Sequence, residues 1–122
     1  MKAEQKGIKR ILKAFSYSFD GFRAAFKSEA SFRQDLFFCL IFGISIFFLP
    51  FSPTQSALAF FSLFFILFAE LTNTAIETIV DRFGEEYDEL SKKAKDIGSL
   101  LVFLAFLNLF IIWGTLLCEA FF

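Results

Sequence analysis

The sequence predicts an all-α membrane protein, with three transmembrane helices preceded by an N-terminal amphipathic surface helix. Three observations predict it. The chain has 122 residues, is 57% hydrophobic and carries 22 Phe, more apolar surface than a soluble domain of that length covers. The apolar residues gather into stretches that read as spans at about 31–49, 56–80 and 97–121. All 12 Lys and Arg residues fall on one side of such a three-span arrangement. No linker or internal repeat interrupts the chain, so residues 1–122 read as one domain.

The surface helix is expected at about residues 4–28. Ile8, Ile11, Leu12, Phe15, Phe19, Phe22 and Phe26 recur at spacings of three and four, with Lys6, Lys9, Arg10, Lys13 and Lys27 among the polar positions. A basic helix with an aromatic face lies in the plane of the membrane interface. It serves there as an anchor to anionic lipid, the reading its composition favours, or as a wall over a site at the membrane surface. Ser28 to Ser31 then punctuate the chain.

The first span is short. Its strongly apolar part, Leu36 to Leu49, makes only about 21 Å of helix against a hydrocarbon core of ~30 Å. Helical residues from Ser31 to Asp35 and local bilayer thinning make up the difference. Pro50 and Pro53 mark the outer turn before the second span. That span is expected to end near Val80, with Gly84 as its stop. A solvated loop over 81–96 follows, acidic at Glu85, Glu86, Asp88 and Glu89 and basic at Lys92, Lys93 and Lys95. The third span is then expected to begin beside Asp96, placing a helix N-terminus and Lys95 where an anion such as phosphate binds well. Asn108 within it suits an interhelix hydrogen bond.

Charge orients the chain. Lys2, Lys6, Lys9, Arg10, Lys13, Arg23, Lys27 and Arg33 precede the first span, and Arg82, Lys92, Lys93 and Lys95 separate the second from the third. The N-terminus and the 81–96 loop are therefore expected in the cytoplasm, and the C-terminus outside. No signal peptide is recognisable. Cys39 and Cys118 fall near opposite faces of the membrane, too far apart to bridge. Without His or a Cys cluster, zinc and haem chemistry are not expected.

The chemistry concentrates at the end of the second span, in E-L-T-N-T-A-I-E-T-I-V-D. Glu70, Asn73 and Glu77 lie three, four and seven apart and share one helix face. Carboxylates carried to a membrane boundary are costly and mark function. Glu29 and Glu77 suit Mg²⁺, a hard cation held by one or two carboxylates plus phosphate oxygens. Glu70, deeper along the face, suits taking a proton from a lipid hydroxyl, and Lys95 and Arg10 suit a polyphosphate. Phosphoryl transfer from a nucleotide to a lipid alcohol fits this set, although neither the G-x-x-x-x-G-K-[ST] loop nor the protein-kinase motifs occur. The residues alone favour a plainer reading, a small helical membrane protein whose charges cap helices.

The motifs R-I-L-K-A (10–14), G-F-R-A-A (21–25), E-A-S-F-R-Q (29–34), E-L-T-N-T-A-I-E-T-I-V-D-R (70–82) and E-Y-D-E-L-S-K-K-A-K-D-I-G-S (86–99) closely resemble the small bacterial integral-membrane diacylglycerol kinases, over essentially the whole chain. The resemblance implies ATP- and Mg²⁺-dependent phosphorylation of diacylglycerol to phosphatidic acid by a homotrimer in the bacterial inner membrane. It implies Glu70 as general base and Asn73 as a positioning residue, with Glu29 and Glu77 as ligands of the metal and nucleotide. Further nucleotide contacts would be Arg10, Tyr17, Glu86, Tyr87, Asp88, Lys95 and Asp96. Contacts to the lipid would come from Arg10, Ala14, Phe15, Ser16, Tyr17, Ser18, Phe19, Arg23, Ala24, Ala25, Phe26, Ser31, Phe32, Arg33, Gln34, Asp35, Glu70 and Ser99.

Asp88 stands where relatives of that family often carry His, and Phe19 and Phe26 where Trp is common. The sister branch that phosphorylates undecaprenol shares the E-x-x-N-T-A-I-E core, but the flanking E-A-S-F-R-Q and K-D-I-G-S resemble the diacylglycerol branch. A small multidrug-type transporter fits poorly, because the acidic cluster ends the second of three spans. No nucleic-acid partner is expected.

Overall fold

A computed structural model describes residues 6–122, so the expected beginning of the surface helix near residue 4 lies outside the described residues. Four helices follow in order: α1 Ile8–Ser28, α2 Ala30–Ile46, α3 Pro53–Asp81 and α4 Glu89–Phe121, with no strand among the described residues. α3 packs chiefly on α4 and secondarily on α2, while α1 touches α2 more sparingly.

Local chemistry sets each boundary. Glu29 is extended (φ −116°, ψ 107°) and is the whole of the break between α1 and α2. Arg33 spans this elbow and donates to the carbonyls of Phe26 and Lys27, orphan acceptors at the end of α1. Phe32, 1% exposed, meets Phe22 edge-on at 5.7 Å and fixes the elbow from inside. α2 ends at Ile46, three residues short of the expected Leu49, and Phe47 to Leu49 turn with backbone bonds to the carbonyls of Ile44, Ser45 and Ile46. Pro50 disfavours helix in the residue before it, so apolarity runs past the helix that carries it.

α3 starts at Pro53 rather than Ser56. Ser52 and Gln55 form a reciprocal capping box, with bonds of 3.2 and 2.8 Å, and Pro53 occupies the first turn, where no N–H is needed. Gly84, at φ 105°, turns the chain after α3 as its sequence position suggests. The largest correction concerns the next segment. Residues 89–96 are the first two turns of α4, not loop, because the Asp88 carboxylate accepts from the Ser91 N–H at 3.0 Å and caps the helix there. The helix N-terminus expected at Asp96 is therefore at Glu89, and Lys95 and Asp96 lie inside the helix.

α3 and α4 are long and apolar enough to cross a membrane, and their most apolar windows are only 33% and 22% buried. Phe64, Phe68, Phe103 and Phe110 all face outward, as lipid allows and a soluble core helix does not. α2, with 17 residues, spans about 25 Å.

The interior is built on small residues that let the helices approach. Ala59, Ser62, Ala69 and Ala105 are buried against Leu63, Ile66, Leu109, Trp113 and Leu116. Trp113 Nε1 donates to Ser62 Oγ at 3.0 Å, and Ser62 donates onward to the Ala59 carbonyl. Phe42 meets the indole edge-on at 5.2 Å. Trp113→Phe keeps the ring packing and removes one buried donor. It is expected to lower stability by about 1 kcal/mol, read as an earlier thermal unfolding midpoint in detergent micelles. Cys39 is buried and Cys118 exposed, both as free thiols.

Candidate active site

The C-terminal half of α3 presents Glu70, Asn73, Glu77 and Asp81 at successive turns of one face. Glu70 is only 6% exposed. Ser31 on α2 donates to Glu70 Oε1 at 2.8 Å, and Asp35, one turn further along α2, lies beside the same carboxyl group. The most buried acid among the described residues is thus held from α2.

One turn towards the C-terminal end of α3, Asn73 faces α4. Its Oδ1 is buried and has no hydrogen-bond partner. Directly opposite is Gly98, buried in α4, where a Cβ would sit 3.1 Å from Asn73 Cγ and nearer still to Oδ1. Glu77 follows, half-buried, and its charge is felt by Lys95. Lys95 Nζ pairs with Asp81 Oδ1 at 2.7 Å. That hydrogen bond, with the negative charges of Asp81 and Glu77, holds the ammonium above its ordinary value against a small opposing desolvation. A raised ammonium stays protonated through neutrality, and the pair is lost only as pH climbs past the usual lysine range. Lys92 pairs with Asp96 at 2.6 Å, an exposed contact of little energetic weight.

Where α3 gives way to α4 an open cavity of about 730 Å³ is lined by Glu86, Tyr87, Asp88, Lys95 and Asp96, together with Asp81. Five expected nucleotide contacts thus share one cavity of a size that takes a small ligand. Arg10 and Tyr17 do not line it. They stand exposed on α1. Glu29 sits at the elbow and accepts from Ser28 at 3.1 Å. Among the described residues no three acidic or thiol side chains converge as a ready-made metal cage. Glu29 and Glu77 nevertheless offer only hard oxygen donors, the set that Mg²⁺ takes when phosphates complete its shell.

The residues expected at the lipid divide into groups. Ser18, Ala24 and Ala25 line a shallow groove of about 550 Å³ between α1 and the outer face of α3 at Leu71 and Ala75. Ala14, Phe15, Ser16, Phe19 and Phe26 are exposed along α1, and the Arg23 guanidinium lies 4.8 Å from the Phe19 ring centroid. Gln34 and Ser99 are exposed. Phe32 and Arg33 are occupied in the α1–α2 elbow, and Ser31 and Asp35 are engaged with Glu70. Sequence reasoning missed Asp81 and Gly98 as members of the site. Asp81 was legible as the next i+4 position after Glu77, whereas Gly98 lay within the K-D-I-G-S motif with no role attached to it.

The sequence model of the prokaryotic diacylglycerol kinase family matches residues 16–117. The chain is 40% identical over 115 residues to a diacylglycerol kinase of Escherichia coli strain K12, covering 94% of each chain. It is 39% identical over 111 residues to a diacylglycerol kinase of Haemophilus influenzae, covering 91% of this chain and 94% of the relative. A diacylglycerol kinase of Pseudomonas aeruginosa is 42% identical over 113 residues, covering 93% of this chain and 92% of the relative. With relatives at this identity along nearly its full length, the chain belongs to the prokaryotic diacylglycerol kinase family.

Proposed function

We propose that the protein transfers the γ-phosphoryl group of ATP to the free hydroxyl of diacylglycerol at the cytoplasmic face of a bacterial inner membrane, giving phosphatidic acid. The observation that carries this is the buried Glu70 carboxylate, gripped by Ser31 and Asp35, on the same helix face that leads to the Lys95 cavity. Glu70 takes the hydroxyl proton as the lipid oxygen bonds to the γ-phosphorus and the bond to the bridging oxygen of ADP breaks. Asn73 positions the transferred group, and Lys95 carries positive charge to the polyphosphate. Arg10, Tyr17, Glu86, Tyr87, Asp88 and Asp96 complete the nucleotide contacts. Mg²⁺, held by Glu29 and Glu77, would neutralise phosphate charge.

In this reading the chain is one membrane domain. α2, α3 and α4 all cross the bilayer, with the N-terminus and the α3–α4 connection in the cytoplasm. α1 lies on the surface: Ile8, Ile11, Leu12, Phe15, Phe19, Phe22 and Phe26 are 44–75% exposed, which suits burial in the interface. The chain assembles as a homotrimer with its sites at subunit contacts.

Purified protein in mixed micelles with labelled ATP tests the reading, with diacylglycerol and undecaprenol offered in parallel. Labelled phosphatidic acid is expected, and is expected to vanish when Mg²⁺ is chelated. Label on undecaprenol alone would move the acceptor to the sister branch. No lipid product from either would overturn the kinase reading.

A further inference from the structure

We propose that Gly98 is a positioning residue for phosphoryl transfer: its missing side chain is the seat into which the Asn73 amide fits. The inference rests on the role proposed above for Asn73. A Cβ at position 98 would sit an ordinary 3.7 Å from Asn73 Cα but 3.1 Å from Cγ, and would overlap Oδ1 outright. The obstruction therefore comes from the amide head and not from the backbone of α3. No other glycine in the chain has a contact this close; Gly43, the other one packed against a neighbour, has its nearest atoms at 3.6 and 3.8 Å.

A second observation points the same way. Asn73 Oδ1 is buried without a partner, a condition that ordinarily destabilises and persists where the group has other work. Packing alone would be served by an apolar residue opposite glycine. The amide is instead kept between Glu70 and Glu77, and Gly98 stands one turn from Lys95 on α4. The seat consequently fixes the Asn73 head, and with it the spacing between the carboxylate face of α3 and the cationic face of α4. A displacement of about 1 Å in such a constellation lowers rate by about a hundredfold.

Gly98→Ala, Asn73→Ala and the double variant, each compared with the unaltered chain, test this. Binding of a non-hydrolysable MgATP analogue counts the folded sites, so kcat is expressed per nucleotide-binding site. Gly98→Ala is expected to lower kcat at least about tenfold while leaving KM for ATP within about threefold. A folding defect alone would reduce the number of sites and leave kcat per site unmoved. Asn73→Ala removes the obstructing head, so adding Gly98→Ala to it is expected to leave kcat unchanged and not to lower the thermal midpoint, since alanine favours a helix interior over glycine.

Undiminished kcat in Gly98→Ala overturns the proposal, as does an additive loss in the double variant. Should Gly98→Ala not fold, a folded double variant supports the seat and an unfolded one overturns it. If the unaltered chain transfers no phosphate to lipid, the functional reading itself has failed, and that result is distinct from every outcome of the cycle.

Discussion

Glu70→Gln is expected to lower kcat by about 10²–10⁴-fold while leaving the fold and the affinity for MgATP nearly intact. The substitution is close to isosteric. Its Oε1 still accepts from Ser31, which donates at 2.8 Å in the native chain, and its amide N–H has Asp35 within reach. The grip from α2 survives, and what is lost is the ability to receive a proton. Because Glu70 lies about two turns from Glu77 along α3, the nucleotide cavity has no reason to change. The measurement is kcat and KM in mixed micelles at saturating diacylglycerol, with thermal unfolding alongside. Normal turnover in this variant would remove Glu70 as the base. Loss of activity with loss of the unfolding transition would instead assign Glu70 a structural role.

The shared face of these residues was legible from the sequence because it rests on periodicity. Glu70, Asn73 and Glu77 needed only a helix to share a face, and α3 supplies it. The N-terminal end of α4 was not legible in the same way. Hydropathy reports where a bilayer lies, not where a helix begins, and Glu89 to Lys95 are good helix formers that hydropathy reads as loop. Only the Asp88 cap, three residues before the Ser91 N–H it accepts from, marks the true start. At α2 the error ran the other way, since Phe47 to Leu49 are apolar enough for a span but precede Pro50.

Side-chain competition hid the rest. Phe32 and Arg33 belong to the E-A-S-F-R-Q motif and were expected among the substrate contacts; in the single chain one fills the elbow and the other spans it. Spacing identifies a shared face but not which neighbour occupies it. Gly98 was invisible for a related reason: a glycine in an apolar helix gains meaning only from the atom opposite, and Asn73 lies on another helix.

Glu77→Gln is expected to act on the opposite kinetic parameter. Glu77 is half-buried on the face that leads to Lys95, and its charge is one of the influences that hold that ammonium protonated, after the hydrogen bond to Asp81. As a metal ligand its carboxylate contributes before the chemical step, so its loss weakens binding of MgATP. A charge-assisted contact of about 1.5–3 kcal/mol corresponds to a rise of about 10–150-fold in KM for MgATP. Lys95 keeps Asp81 and stays charged at neutral pH, so the cavity is not rearranged.

The two carboxylate variants therefore separate under a Mg²⁺ titration. Raising the metal concentration is expected to restore much of the rate in Glu77→Gln by mass action. It is expected to restore none in Glu70→Gln, where the missing element is a proton acceptor. An unshifted Mg²⁺ midpoint in Glu77→Gln would remove it from the metal site and leave Glu29 to hold the ion with the phosphates. A Glu70→Gln enzyme rescued by Mg²⁺ would place the ion one turn deeper, beside Asn73, and would exchange the roles of the two acids.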